Sequence, residues 1–474
     1  MKILQLSTFV IYFLAIVLIA IISHKKQKSD TTFVLGNRSL NFWLTALSAH
    51  ASDMSNWLFM AFPASIFLVG IFNVWAAIGL VGIMFLNWHF VAPKIRTQTE
   101  KMNNLTMYSY FETRFKDTSG ILKGLSAFMS LVFYLVYITS GLVGLGLLAE
   151  SLFGLSYTTG ITIGLILVVF YVFLGGYLTV AWIDLFQGFF LLGIILIIPF
   201  ILISKIGGFS PIIDAMHAQN LTTSIFPNYS IKTLINSLII ALGWGLGYFG
   251  QPHIITKFMG IKDVSQMPKA KYLGISWQSL ALFGAILFGL IGIYLYPKGL
   301  ENPELIIIET VKTYLPAFFS GLILCAILAV STNVMAAQIL VVASSLAEDF
   351  YRGLFYKKAT HRQTLIASRI SVVLVGLISF VIAYFKISTI YKLVLYAWSG
   401  LGACFGPLLL ISLYYKKTNR LAAFMGIFTG GIVSGIWPII SSKFNLEVFP
   451  IIPGFIASSL MIFIFSQKKG NKNE

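Results

Sequence analysis

Charge is scarce in this chain: 10% of its 474 residues are Asp, Glu, Lys or Arg, where a soluble globular protein carries about 25%. Set against 58% hydrophobic residues, that shortage excludes an ordinary soluble enzyme. Acidic residues are the scarcer sign, 16 against 33 basic ones for a net charge of +17. The Lys and Arg sit in short connections between apolar runs and build no basic domain, so nucleic acid is not an expected partner and the excess reads as a topology signal. Cysteine is nearly missing, and Cys325 and Cys404 both fall inside apolar runs, which argues against a disulfide framework or a zinc site. Catalytic motifs are missing as well: there is no Gly-rich loop ending in Lys-Ser/Thr, no HExxH and no CxxC, and the histidines are scattered at 24, 50, 89, 217, 253 and 361. The expectation is a protein that is not an enzyme and holds no resident cofactor.

Long apolar runs are what the chain has instead. Runs such as IYFLAIVLIAII and GFFLLGIILIIPFILI recur from end to end, many of them near the ~20 residues that cross about 30 Å of hydrocarbon. Bounded by charge or Gly/Pro clusters, they give an all-α membrane protein of thirteen transmembrane helices, beginning near Ile3, Phe42, Phe72, Leu122, Thr158, Val180, Ile231, Tyr272, Pro316, Leu365, Ile390, Leu421 and Val448. The first, Ile3 to Ser23, has one preceding lysine and no small-residue cleavage pattern, so it reads as a retained span and not a signal peptide. Sorted by side, the connections level with the first one, together with the C-terminus, hold 23 Lys and Arg, and the opposite side holds six. The positive-inside rule then puts the N-terminus outside and the C-terminus in the cytoplasm, for a multi-pass protein of the cytoplasmic (inner) membrane. The lipid bilayer is its expected partner, and no obligate protein partner is readable.

Two spans are interrupted at their middles. The second reads LTALSAHASDMSNWLFMAFPASIF, with Ser52, Asp53, Ser55 and Asn56 halfway along; the seventh reads INSLIIALGWGLGYFGQPHII, with four glycines between 243 and 250 ahead of Pro252. Non-helical backbone at membrane depth is tolerated where it lines protein or a water-filled cavity, so the two breaks are expected to line the same one. They lie five spans apart, and an odd offset reverses direction across the membrane. That is the pattern of an inverted five-helix repeat, residues 42–204 against 231–440, with 3–23 as an extra first span and 448–467 as the last. Close helix packing would explain the glycines but not Asp53. A carboxylate at the bilayer middle costs roughly 2.5–3.5 kcal/mol on insertion scales and marks a functional or paired site.

Further candidates are fewer. Asp184, near the start of the sixth span, reads either as a cap at the membrane boundary or as part of an ion path. Along the ninth span Val330, Asn333, Val334, Ala337 and Val341 share one helical face, on which only Asn333 is polar. Tyr137 with Ser140, and Trp244 with Tyr248, offer aromatic walls and hydroxyls to a small zwitterion, although aromatics at helical spacing also serve packing.

The segments GNRSL, TALSAHASDMSNWLFMAFPASIF, MYSYFETRF, GWGLGYFGQPHI, SSLAEDFY and YAWSGLGACFGPL resemble the sodium/solute symporter family, in particular its sodium/proline symporter branch. The similarity covers nearly the whole chain. It implies a leucine-transporter-type fold and Na⁺-coupled uptake of L-proline by alternating access. Residue by residue, it implies cation binding by the backbone around Ala51 and Met54, beside Asp53, and substrate contacts from Ser55, Tyr137, Trp244, Tyr248 and Pro252. With Ser52 and Asn56 of the first break, those form the expected substrate set. The resemblance also implies gating and coupling roles for Arg38 and Asp184. Unwound carbonyls suit Na⁺ because they offer hard oxygens, and half-helix N-termini suit a carboxylate.

Departures from the family pattern sharpen the expectation. In a gapless register the family's adjacent Ser and Thr at the sodium site fall on Asn333 and Val334, leaving an expected Na⁺ site of Ala51, Met54, Val330 and Asn333. Ser331 and Thr332 lie on another helical face. Positions 336 and 337 are both Ala, so a second ion is not expected. Asn56 replaces a glycine beside the substrate, and His50 replaces another small residue one turn before Asp53. The expected function is import of a small zwitterionic amino acid, most simply proline, with Na⁺ as co-transported ion. The alternatives are H⁺-coupled or weakly Na⁺-dependent uptake through Asp53, Asp184 or His50, another amino acid, betaine or carboxylate, and a membrane solute sensor that does not transport.

Overall fold

A computed structural model describes residues 2–24, 35–356 and 358–467. Among them every regular element is helical, and strand-like pairing is confined to one bridge between Leu40 and Ile261. Lysines 25, 26, 28, 357, 468, 469 and 472, which contribute to the charge asymmetry, lie outside the described residues.

Helix α1 (Lys2–His24) precedes a broken span made of α2 (Phe42–Ala51) and α3 (Phe62–Val69), joined through residues 52–56 and a π-turn at Trp57–Ala61. Asn41 starts α2 by accepting the Leu44 N–H with its side chain (2.8 Å), an ordinary N-cap. Next come α4 (Trp75–Leu86) and α5 (Ala92–Lys101), in line through a second π-turn, then short α6 (Met107–Arg114) and long α7 (Ile121–Phe153). Helix α8 (Tyr157–Lys205) is capped by Ser156 and followed by α9 (Ser210–Ala218). The second broken span is α10 (Ile231–Gly245), a 3₁₀ stretch at Leu246–Gly250 and α11 (Pro252–Met259). Then follow α12 (Met267–Leu295), short α13 (Ile306–Tyr314), α14 (Ala317–Ser345), α15 (His361–Tyr384), α16 (Ile390–Tyr414), α17 (Arg420–Phe444) and α18 (Ile451–Gln467).

Helical turns run unbroken through the 49 residues of α8, about 74 Å if they were straight. The last turn of α7 and the end of α8 nevertheless both reach α13, which has nine residues. Ser151, just before α8, donates to Glu309 (2.7 Å), and Lys205, its last residue, donates to the Tyr314 carbonyl (3.3 Å). Two apolar stretches within α8, Tyr157–Phe170 and Tyr177–Lys205, stand where the fifth and sixth spans are expected. Among the described residues nine helices are long and apolar enough to cross a membrane. Four shorter apolar helices, Val10–Ile19, Trp57–Val69, Tyr157–Phe170 and Ile451–Ser466, stand where the first, second, fifth and thirteenth spans are expected.

Burial sorts the bundle. The apolar window of the span at 317–353 is 89% buried against 28% for His361–Tyr384, so α14 is a central wall and α15 faces outward. Exposed Ile366, Ile370, Leu374, Leu377, Ile378 and Val381 give α15 an apolar outer face, as a lipid-facing helix requires.

Candidate functional site

At the first break, helical bonding stops at Ala51 and the chain turns. The amides of Asp53 and Met54 both bond to the His50 carbonyl (3.2 and 3.1 Å), and Ser55 bonds to Asp53 (3.0 Å). Neither Ala51 nor Met54 offers its carbonyl to these turn bonds, so the chemistry needed to hold a hard cation is present in the backbone. Ser52 is not aimed at a ligand: its hydroxyl caps the Ser48 carbonyl (2.6 Å).

The second break is made by packing. A Cβ on Gly250 would sit 2.7 Å from the Gly406 amide and the Leu401 carbonyl, and one on Gly247 would enter the Trp398 indole. These glycines let the 3₁₀ stretch lie directly on α16. The Trp398 indole then donates to the Trp244 carbonyl (2.7 Å), and Gln251 donates to the carbonyls of Gly247 (3.1 Å) and Trp398 (3.2 Å). Backbone groups freed by the break are satisfied by these side chains, as a membrane interior demands.

Where the breaks face each other lies a small, tightly closed cavity, lined by Asp53, Met54, Trp57, Leu80, Tyr137, Trp244, Val394 and Trp398. Trp57 and Trp244 meet at 4.7 Å between ring centroids, and Tyr391 closes edge-on over Trp244 at 5.5 Å. Asp53 is 2% exposed and neither of its oxygens closes a hydrogen bond, although Tyr248 faces it. A buried carboxylate without a donor is an unmet demand for a cation. Four of the expected residues thus line one cavity, while Trp57, Leu80, Val394 and Trp398 were not singled out from sequence. Trp57 and Trp398 could have been, as aromatics flanking the breaks in SNWLF and YAWSG; Leu80 and Val394 carry no such signal.

Other expected residues fall elsewhere. Asn56 lies outside the cavity, with its amide donating to the Ser140 (3.1 Å) and Gly141 (3.2 Å) carbonyls of α7 and its oxygen accepting the Ser331 hydroxyl of α14. Ser55 accepts the Trp57 amide (3.2 Å) and faces Tyr137. Pro252 lines a separate small cavity nearer the Arg38 end, shared with His253, Lys257, Ala337 and Ser344. His50 bridges neighbouring helices: the Trp88 indole donates to its Nε2 (3.0 Å), and its Nδ1 meets the Tyr248 hydroxyl (3.2 Å). An indole only donates, so Nε2 carries a lone pair, the proton is on Nδ1 and the ring is neutral.

Beside the first break, α8 supplies Asp184. Its Oδ2 accepts the Ser48 hydroxyl (2.5 Å) and the Lys257 ammonium (2.9 Å), an ion pair with both side chains at most 3% exposed. Lys257 therefore corrects the loop count of basic residues: it sits inside α11. One turn from Asp184, Gly188 packs on Ala51. The Asn333 amide approaches Asp184 without closing a hydrogen bond, while Val330 and Val334 beside it are buried. Helix α14 has not shifted register to bring Ser331 here, because Ser331 is engaged by Asn56.

Charged latches stand at both ends. At one, Gly36, Asn37 and Arg38 all have left-handed φ (59°, 52° and 51°), a strained conformation for an arginine. It aims the guanidinium at the carbonyls of Met259 and Asn104, both 2.8 Å away. Burial and neighbouring Arg96 push the Arg38 pKa down to about 10, which leaves it charged at neutral pH. At the other end Glu304 is 7% exposed and accepts the amides of Ile390 (3.1 Å) and Tyr391 (2.8 Å) at the start of α16.

Two broken helices meeting at a small aromatic cavity, each end latched, define a membrane transporter of the leucine-transporter type and not an enzyme. Solved structures share the fold: a Na⁺-coupled sialic acid symporter in a substrate-bound outward-open state (TM-score 0.82, 17% identity, 99% of both chains) and MhsT in complex with L-phenylalanine (0.55, 13%, 90% of this chain and 97% of that one). The chain belongs to the sodium:solute symporter family, whose model matches residues 33–430. It is 36% identical to the osmoregulated proline transporter OpuE of Bacillus subtilis over 463 residues, 96% of this chain and 93% of that one. It is 37% identical to the high-affinity proline transporter PutP of the same organism (95% of each chain), and 36% identical to a sodium/proline symporter of Staphylococcus aureus (96% and 91%).

Proposed function

We propose that this chain imports L-proline, coupled to Na⁺, by alternating access in the cytoplasmic membrane, with its N-terminus outside and the Arg38 end in the cytoplasm. The observation that carries the reading is the cavity between the breaks. Aromatic rings of Trp57, Tyr137, Trp244 and Trp398 suit an apolar ring, and Asp53 is its one carboxylate. Relatives named as proline transporters over nearly the full length support proline as the substrate. Sodium would lie on the Ala51 and Met54 carbonyls with Asn333 as the remaining side-chain oxygen, and Asp53 and Asp184 would supply the negative field. Tyr248 and Ser55 act through Asp53 and Tyr137. The halves 42–204 and 231–440 rock as inverted repeats; the Arg38 latch opens inward, and the Glu304 latch, which joins two elements of the second half, opens outward as α16 moves within that half.

Proton coupling through His50 is the weaker alternative, because a second proton on that ring would break its bond with Trp88. Uptake of labelled proline into proteoliposomes under a sodium gradient, a proton gradient or neither tests the proposal. Sodium-driven accumulation supports it; accumulation driven by protons alone moves coupling to the carboxylates. Binding without concentrative flux under either gradient would favour a sensor, and no proline binding at all would point to another solute.

A further inference from the structure

The sodium-site wall carries a contradiction. Two oxygen ligands expected from the family register are replaced by Asn333 and Val334, and Ser331, the nearby hydroxyl, is held by Asn56. Yet of the two buried carboxylates beside this region, Asp53 and Asp184, Asp184 is already neutralised: Lys257 Nζ lies 2.9 Å from its Oδ2 and 5.0 Å from the centre of the Tyr177 ring. The second oxygen, Oδ1, has no hydrogen-bond partner, and neither does either atom of the Asn333 amide. All of these groups are at least nine-tenths buried. Lys257 also lines the cavity toward the Arg38 end, together with Ala337 and Tyr177.

We propose that Lys257 is a tethered competitor of the transported cation and sets how strongly this transporter depends on sodium. A mobile cation at the Ala51 and Met54 carbonyls would gain from the Asp184 charge only to the extent that the lysine gives it up, since two cations share one carboxylate. With a hydroxyl ligand lost on α14, weak sodium binding follows, and the ammonium keeps Asp184 compensated when the site is vacant. Without it the empty state would bury an unpaired charge, which is strongly destabilising. Lysine suits the part better than arginine, as a compact ammonium on a flexible stem that can leave along the adjoining cavity. The inference deepens the proposed sodium coupling and rests on it.

The test is binding of ²²Na⁺ to the purified full-length protein at pH 8, without any amino acid, so that the identity of the solute does not enter. Lys257→Gln and Lys257→Met, which keeps the stem's bulk against Tyr177, are each expected to bind sodium at least about 5-fold more tightly than the wild type. Lys257→Arg should stay within about 2-fold of it, and Lys257→Gln combined with Asp184→Asn should lose the gain. Sodium binding that is unchanged, weaker or undetectable in a folded neutral variant overturns the proposal, whichever of the two variants folds. Proline binding measured on the same samples reports separately on the transport reading.

Discussion

Replacing Glu304 with alanine should loosen the end of the pathway opposite Arg38. Thr389 caps α16 by accepting the Lys392 amide (3.4 Å), while Glu304 alone takes the Ile390 and Tyr391 amides. Truncation leaves two helix-start donors orphaned in a buried place. A lost N-cap costs about 0.5–2 kcal/mol and an unsatisfied buried donor about 1–3. A net of about 2 kcal/mol against the closed state is reasonable, a shift of about 30-fold toward opening. Cysteine accessibility reads this directly: Val394 is buried and lines the central cavity, and both native cysteines are buried. A membrane-impermeant maleimide should label Val394→Cys roughly 10- to 50-fold faster when Glu304→Ala is added, and by an intermediate factor with Glu304→Gln, which keeps one acceptor. Acidity supplies a sign test. Burial raises the Glu304 carboxyl above its ordinary value, with the two amides pulling the other way. The closed state therefore holds its proton more tightly than an opened, hydrated one, and protonation favours closure. As pH falls through that raised value toward the ordinary one, labelling relative to Glu304→Ala at the same pH should fall. Equal labelling with and without the carboxylate would refute the latch.

Val334→Thr should lower the sodium concentration for half-maximal uptake by restoring one hydroxyl ligand; an unchanged sodium response would count against the gapless register. Trp244→Ala removes the ring that stacks on Trp57 and supports Tyr391. It should weaken proline binding about 10- to 100-fold, while near-wild-type binding by scintillation proximity would remove Trp244 from the site. His50→Gln can still accept from Trp88 and donate to Tyr248, so its uptake should respond to an imposed proton gradient as the wild type does. A response lost in that variant would restore His50 as a proton carrier.

How much of this was legible beforehand differs by kind of evidence. Both breaks are legible because a polar cluster around Asp53 and a glycine run before Pro252 interrupt otherwise apolar spans. Trp244, Tyr137 and Asp53 meeting at one cavity follows from the two breaks facing each other. Partnerships between distant positions were not legible. From sequence Asn56 reads as an altered substrate contact, but its amide joins Gly141, 85 residues away, to Ser331, 275 residues away. A Cβ on Gly144 would run into the Asn56 side chain, so the bare glycine on α7 is what admits it. In sequence KFMGIK reads as the start of a connection and Lys257 as a loop charge, whereas α11 continues to Met259 and buries the lysine against Asp184. Sequence periodicity locates a residue along a helix; it does not say which helix stands opposite.

The two end latches share a logic that alternating access needs. Arg38 binds the carbonyl of Met259 at the C-terminal end of α11, and Glu304 binds amides at the N-terminal end of α16. Each charge therefore complements the partial charge of the helix end it holds, and each latch ties the first half of the chain, or the loop before α13, to a helix of the second. Bonds of this kind net about 1.5–3 kcal/mol. An occupied cavity biases a latch only by the difference in ligand affinity between its two states, and offsetting one such bond takes a difference of roughly 10- to 150-fold. Arg38→Lys tests the cytoplasmic end. A lysine keeps the charge but cannot fork between Met259 and Asn104, and the left-handed φ it would inherit strains it as much as the arginine. Labelling of Ala337→Cys, which lines the cavity beside Lys257, from the cytoplasmic side should rise several-fold, while sodium binding at the breaks stays as it was. If Arg38→Lys leaves that labelling unchanged, the strained turn at residues 36–38 holds the end shut by its backbone alone, through the Leu40–Ile261 bridge, and the guanidinium is a passenger.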